Sequence, residues 1–172
     1  MKKLLITLFV LTATLSFSQA KKNTSGDLIG ITSITDFQQK PYQVWFQRNF
    51  DNYTLDKKTS KKLKKALKNV TIKAFMGTWC GDSRRETPKF YKLLELAEFD
   101  LKNLEMITVN RAKRTPDNLQ RGFDIIRVPT FIFYKNDKEI GRYVEYARES
   151  LEKDILKILT GKEYKHAYDH TK

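Results

Sequence analysis

The chain has 172 residues, of which 40% are hydrophobic and 12% aromatic, enough to build one domain with a core and an extension. Its 7 Gly and 4 Pro residues exclude the fibrous and low-complexity classes. The formal net charge of +13 favours anionic partners, although a solvated basic surface explains this charge more simply than a dedicated binding site.

The first 20 residues have the pattern of a signal peptide. Lys2 and Lys3 form a charged start, residues 4–17 carry no charge, and the small residues Ser18 and Ala20 suit cleavage after residue 20. No later segment is apolar enough to span a membrane. We therefore expect an exported protein, periplasmic or secreted, without stable membrane insertion. Export also argues against a nucleic-acid partner.

Residues 21–58 form a predicted N-terminal extension. Residues 21–30 are polar and expected to be loose, and residues 37–50 have partly helical spacing that Pro41 interrupts. An aromatic stripe of this kind is more often core than ligand site, so we expect it to pack on the domain. Its members are Phe37, Tyr42, Trp45, Phe46, Phe50 and Tyr53.

Residues 59–161 are predicted to form the domain itself, followed by a polar tail at 162–172. The first predicted element is a basic amphipathic helix at 59–69, capped by Thr59 or Ser60. The remaining predicted elements are a strand at 70–76, a helix at 83–97, a strand at 104–110, a short helix at 116–122, strands at 130–134 and 139–146, and a helix at 150–159. This order predicts an α/β domain with a mixed central sheet flanked by helices.

The single cysteine, Cys80, lies where the predicted strand at 70–76 turns into a helix. One cysteine cannot form an internal disulfide, so the thiol is either an inert core residue or a reactive group. A sulfur at a helix N-terminus faces unpaired backbone N–H groups and the positive end of the helix dipole, which both favour the nucleophilic thiolate. Ser83, one helical turn later, can donate a hydrogen bond to that thiolate, cap the helix, or do both.

Three motifs resemble the thioredoxin superfamily. Trp79-Cys80-Gly81 matches the start of its active site, Pro88 matches the proline of its active-site helix, and Val128-Pro129-Thr130 before a hairpin matches its cis-proline loop. The resemblance covers about residues 59–160, implies a thioredoxin fold, and is strongest to exported thioredoxin-like proteins of Gram-negative bacteria. The positions that it implies are Cys80 and Ser83 for catalysis, and Trp79, Gly81, Asp82, Val128 and Pro129 for substrate binding.

The chain departs from the family pattern in three places. Ser83 replaces the resolving cysteine, so the usual dithiol cycle is impossible within one molecule. Asp82 replaces a common proline, and its charge opposes a nearby thiolate. Ala74 replaces the buried aspartate that assists proton transfer in thioredoxin.

Two functions remain open from the sequence. The first is monothiol exchange, in which Cys80 forms a mixed disulfide with a disulfide-bonded or thiol-adducted protein or small thiol, and an external thiol reductant resolves it. The second is a non-catalytic peptide- or protein-binding module in which Cys80 is incidental. No cofactor is expected. His166 and His170 have the spacing of metal ligands, but they lie in a polar tail, so no metal site is predicted.

Overall fold

The computed structural model describes residues 20–169. The predicted signal peptide lies almost wholly outside this part of the chain, as does His170. Within residues 20–169, no helix has the length and apolar composition needed to cross a bilayer.

Six strands form one sheet in the order β1-β2-β4-β3-β5-β6. They are β1 (Lys21–Lys22), β2 (Leu28–Thr32), β3 (Val70–Met76), β4 (Leu104–Thr108), β5 (Thr130–Lys135) and β6 (Lys138–Val144). β3 pairs with β4 in parallel, and every other neighbouring pair is antiparallel. The predicted mixed sheet is therefore confirmed, with β3 at its centre between β4 and β5.

The helices are α1 (Ile34–Phe37), α2 (Gln43–Asp51), α3 (Lys57–Ala66), α4 (Gly81–Leu96) and α5 (Leu151–Leu159), with a 3-10 turn at Leu101–Asn103. Side chains alternate between the faces of a strand, and here they divide the core in two. Ile72, Ala74 and Met76 of β3 join the large cluster that includes the buried side chains of the helices. Phe75 joins a smaller cluster on the other face, beneath the loop at 110–128.

The aromatic residues of the extension form core, as predicted. Phe37 and Phe46 are fully buried and stack at a centroid distance of 5.7 Å. Phe46 also meets the ring of Tyr91 on α4 at 5.9 Å. The peptide bond before Pro41, between α1 and α2, is cis. Burial of these aromatic rings, worth about 1.5–3 kcal/mol for each side chain, holds the extension against α4.

Two local expectations about secondary structure were wrong. Residues 21–30 are not loose throughout, because β2 begins at Leu28 and pairs with β4. This short strand, whose side chains alternate in burial, was not predicted because the residues before it are polar. Residues 116–122 form turns instead of a helix, because Asn118 and Gly122 have φ values of 54° and 85° and the Thr115 hydroxyl accepts from the N–H of Leu119 at 2.9 Å.

The cap of α3 also differs from the prediction. Asp56 caps the helix by accepting from the N–H of Thr59 at 2.9 Å, so the helix starts before Thr59 and Ser60. The domain boundary at residue 59 stays a prediction, although β2 shows that the extension adds a strand to the domain's sheet.

Candidate functional site

Cys80 lies at the N-terminus of α4, the helix that contains Pro88, as predicted. Its backbone N–H donates to the carbonyl of Gly77 at 2.9 Å, and its own carbonyl accepts from Arg84 at 3.0 Å. The side chain is partly exposed and makes no capping hydrogen bond to the helix. The sulfur therefore lies at the positive end of the helix dipole with access to solvent.

The sulfur of Cys80 contacts the loop before β5. Sγ donates to the backbone carbonyl of Val128 at 3.3 Å, and the Val128–Pro129 peptide bond is cis, as predicted. The apolar cluster beneath the sulfur includes Phe75, Val109 and Val128. The thiol thus lies against the loop on one side and is open on the other, which is the access that a nucleophile needs.

Ser83 supports the turn rather than the thiol. Its side chain is fully buried, and Oγ accepts from the backbone N–H of Gly77 at 3.2 Å. Within residues 20–169, no hydrogen bond joins Ser83 to Cys80, so the sequence-based expectation of a hydroxyl donated to the sulfur is not met. The hydroxyl instead fixes the end of β3 relative to the first turn of α4.

Trp79 packs over the backbone of the same turn. Its Nε1 donates to the carbonyl of Val109 at 2.8 Å, and the guanidinium of Arg111 lies 5.4 Å from the ring centroid. A Cβ added to Gly77 would lie 2.5 Å from the indole ring. The absence of a side chain at Gly77 therefore creates the space for Trp79, which forms one wall beside Cys80.

The two residues after Cys80 differ in their surroundings. A Cβ added to Gly81 would meet nothing within 4 Å, so the position is open. Asp82 forms a salt bridge with Arg85 at 2.5 Å, and Arg85 also bonds Glu86 at 2.8 Å. The arginine thus offsets the charge that Asp82 brings near the sulfur.

Glu145 brings a further carboxylate to the site. Its backbone N–H donates to the carbonyl of Pro129 at 2.7 Å. Burial raises the pKa of the Glu145 carboxyl, the charge of Asp82 raises it further, and Arg127 and Arg85 lower it. These four side chains are therefore electrostatically coupled around the loop that Cys80 contacts.

The C-terminal tail was expected to be merely polar, but it reaches this loop. Tyr168 donates its hydroxyl to Glu145, and the guanidinium of Arg127 lies 5.0 Å from its ring centroid. The ring also meets Tyr146 edge-on at 6.2 Å. Nothing in the sequence of the tail signals these contacts, because all three partners lie more than 20 residues away.

Asp27 and Thr78 are a further pair that sequence reasoning missed. Thr78 is buried beside Cys80's turn, accepts from the N–H of Leu28 at 3.1 Å and donates to Asp27 at 3.4 Å. Arg84 donates from Nε to the carbonyl of Thr78 at 2.5 Å. The start of β2 is thereby tied to the turn before Cys80.

Ala74, which stands where the family has a buried aspartate, is fully buried in β3. The buried carboxylate of Glu86 is engaged elsewhere, because it pairs with Arg85 and Lys89 and accepts from Tyr143 at 3.4 Å. In the described part of the chain, no group of three or more His, Cys, Asp or Glu side chains is placed to hold a metal ion.

Comparison with known proteins finds a family model that matches most of the chain. Residues 32–157 match the family model described as Thioredoxin. Thioredoxin H5 of Oryza sativa subsp. japonica is 30% identical over 118 residues, which are 69% of this chain and 78% of that protein. A thioredoxin-like protein of Acanthamoeba polyphaga mimivirus is 30% identical over 89 residues, 52% of this chain and 62% of that protein.

Other relatives are matched over smaller parts of their length. The chain spans only 16% of thioredoxin domain-containing protein 2 of Rattus norvegicus, to which it is 29% identical over 96 residues. A crystal structure of a protein of unknown function from Pseudomonas aeruginosa superposes with a TM-score of 0.52 at 15% identity, covering 74% of this chain and 81% of that one. This last likeness concerns the fold alone.

Proposed function

The chain belongs to the thioredoxin family, and from that premise we propose that it performs monothiol thiol–disulfide exchange through Cys80. The observation that carries the proposal is the 3.3 Å contact between Cys80 Sγ and the carbonyl of Val128. This position puts a partly exposed sulfur at a helix N-terminus, beside a loop whose backbone can align a substrate. Because the chain has 1 cysteine, the exchange must use a second thiol from outside.

The proposed exchange has two balanced steps. The Cys80 thiolate attacks one sulfur of a substrate disulfide, so that a bond forms between the two sulfurs and the other substrate sulfur leaves as a thiolate. A second thiolate then attacks the substrate sulfur of the mixed disulfide and releases Cys80. When that thiolate belongs to the same substrate the result is isomerisation, and when it belongs to an external reductant the substrate is freed from Cys80. No cofactor takes part in either step.

Other side chains of the site hold Cys80 and its surroundings in place. Ser83 fixes the turn through Gly77, and Trp79 forms the wall beside the sulfur. Gly81 leaves the approach open, and Asp82 is held by Arg85. Because Ala74 carries no acid, a proton must be taken up from or released to solvent, and we expect slower turnover than in a thioredoxin with the buried aspartate.

A mixed-disulfide experiment tests the proposal. The full chain is incubated near neutral pH with glutathione disulfide, or with a disulfide-bonded protein, and its intact mass is measured. We expect one adduct, released by added thiol and absent in Cys80→Ser. If the native chain forms no adduct while the urea-unfolded chain does, Cys80 is not presented as a nucleophile and the binding-module alternative is preferred.

Ser83→Cys sharpens this test. The two positions are one helical turn apart, and a disulfide needs Cα atoms within about 7 Å. The variant should form an internal disulfide and resolve the mixed disulfide without external thiol, whereas wild type stalls. A folded variant that neither forms the bridge nor releases its adduct would count against the geometry that we propose for exchange.

We also propose that the protein acts outside the cytoplasm, in the periplasm or after secretion. The charged start and uncharged segment before Ala20 support this proposal. Fractionation of cells that express the full chain should recover it outside the cytoplasm, with a mature N-terminus at Lys21. Recovery of the uncleaved chain in the cytoplasm would contradict it.

A further inference from the structure

A cleft of about 650 Å³ lies between α3 and α5, away from the site of Cys80. Its lysines come from both helices, from the end of β5 and from the segment after α5. They are Lys62, Lys65, Lys135, Lys153, Lys157 and Lys162. We refer to this feature as the lysine cleft. Lys135 pairs with Val70 at the start of β3, whereas Cys80 follows the other end of that strand.

Most lysines of the cleft have no acidic partner. Outside the cleft, some lysines form salt bridges with glutamates at 2.5–2.7 Å, namely Lys64, Lys73 and Lys92, whereas others such as Lys57 and Lys58 form none within residues 20–169. Inside the cleft, Lys157 bonds Glu149, which is the one acidic residue of the lining. The other five lysines form no salt bridge within residues 20–169. This local excess of positive charge favours a bound anion.

The floor of the cleft is apolar. Ala66, Leu156 and Leu159 line it and are only half buried. Lysine stems extend an apolar surface while their ammonium groups stay in water, so the cleft offers hydrocarbon below and positive charge at its rim. The cleft has the volume of a small-molecule site, for which 300–1,000 Å³ is usual.

The composition of the lining argues against a macromolecular partner. Protein interfaces are depleted in lysine and depend on buried Trp, Tyr and Arg side chains. Sites for single-stranded nucleic acid use aromatic rings on which bases stack. The residues that line the cleft include no aromatic side chain and no arginine.

We propose that the lysine cleft binds a single-chain anionic amphiphile, an alkyl chain with a phosphate or carboxylate head. The chain lies on Ala66, Leu156 and Leu159, and the head is held by the ammonium groups at the rim. This binding is independent of the exchange proposed for Cys80. It gives part of the excess positive charge a specific partner.

Calorimetry with the full chain tests the ligand class. Dodecyl phosphate, used below its micellar concentration, should bind with one molecule per chain. Inorganic phosphate and the uncharged dodecyl maltoside should each bind at least about tenfold more weakly. Inorganic phosphate lacks the alkyl chain, and dodecyl maltoside lacks the charged head. Each methylene added between octyl and dodecyl phosphate should tighten binding about two- to fourfold. Equal binding of inorganic phosphate, or tighter binding of an acidic peptide or an oligonucleotide, would overturn the proposal.

A charge-matched pair of triple variants tests the location. The cleft variant is Lys62→Gln, Lys65→Gln and Lys153→Gln. The control variant is Lys57→Gln, Lys58→Gln and Lys61→Gln, which removes the same charge from residues outside the lining. The cleft variant should lose about tenfold or more in affinity for dodecyl phosphate, and the control less than about twofold.

The same variants give a second readout in thermal unfolding. With dodecyl phosphate, only wild type and the control should gain stability. Ala66→Phe, which fills the floor without changing charge, should abolish the dependence on chain length. Equal losses of affinity in the two triple variants would show that binding depends on general charge attraction, and would refute the lysine cleft as the binding site.

Discussion

The turn that carries Cys80 differs in construction from the aromatic layer, which consists of Phe37 and Phe46 in the extension and Tyr91 on α4. The turn is held by single hydrogen bonds, such as those from Gly77 to Ser83 and from Trp79 to Val109. The aromatic layer has few polar contacts and is held by rings such as Phe46 that are almost completely buried. The difference indicates that the layer supplies stability, while the turn positions a thiol, so substitutions in the two regions should have separable effects.

The largest expected effect on stability is in the aromatic layer. Phe46→Ala removes a ring that is 1% exposed and meets Phe37, Phe50 and Tyr91. We expect a loss of about 3–5 kcal/mol in the free energy of unfolding, measured by urea denaturation. Val44→Ala on the same helix is the control, because Val44 is 74% exposed, and it should change stability by less than about 0.5 kcal/mol. A loss below about 1 kcal/mol for Phe46→Ala would contradict the claim that the aromatic layer supplies stability.

A smaller effect is expected at the turn. In Gly77→Ala the new methyl group would lie 2.5 Å from the indole of Trp79, so the ring must move and its bond to Val109 breaks. We expect a loss of about 1–3 kcal/mol and a change in Trp79 fluorescence. Gly81→Ala meets nothing within 4 Å and should be close to neutral. Similar stabilities for the two variants would show that the ring does not depend on Gly77.

Asn49 links the two regions. Pro88 has no N–H to bond the carbonyl of Arg84, and Asn49 on α2 donates to that carbonyl at 3.1 Å. Asn49→Ala should cost about 1 kcal/mol in urea denaturation, since a carbonyl loses its donor. Gln47→Ala, which removes only an exposed bond to Asp51, serves as the control and should cost less than about 0.5 kcal/mol.

The smallest expected effect is a pH dependence at Glu145. Its pKa is raised by burial and by Asp82, so the folded protein binds this proton more tightly than the unfolded chain. Its contribution to stability therefore falls as pH rises from about 4. Glu145→Gln should reduce that fall in urea denaturation, whereas Glu163→Gln in the exposed part of the tail should not. Parallel pH profiles for wild type and Glu145→Gln would contradict the coupling.

Much of the fold could be predicted from the sequence because its central elements carry local signals. Apolar runs identify β3 and β5 in the sequence, and helical periodicity identifies α5. The motifs around Cys80 and Pro129 predicted that these two residues lie close together. β2 was missed because its neighbours are polar. The predicted helix at 116–122 failed because side-chain bonds from Thr115 replace helical ones.

The detailed site could be predicted less well, because it depends on contacts between distant segments. The Ser83 hydroxyl accepts a hydrogen bond from the backbone N–H of Gly77. No pattern in the sequence distinguishes this partner from Cys80. Tyr168 meets Arg127 and Glu145 only because the tail folds back after α5. Local patterns locate the thiol, but the groups around it follow from tertiary packing.

The most direct test of the account is the rate at which iodoacetamide alkylates Cys80 in the native chain and in the urea-unfolded chain near neutral pH. If the helix N-terminus and the open face of the sulfur present a nucleophile, the native rate should equal or exceed the unfolded rate. A native rate about tenfold or more below the unfolded rate would contradict the account, because the thiol would then be protected by the fold instead of presented by it.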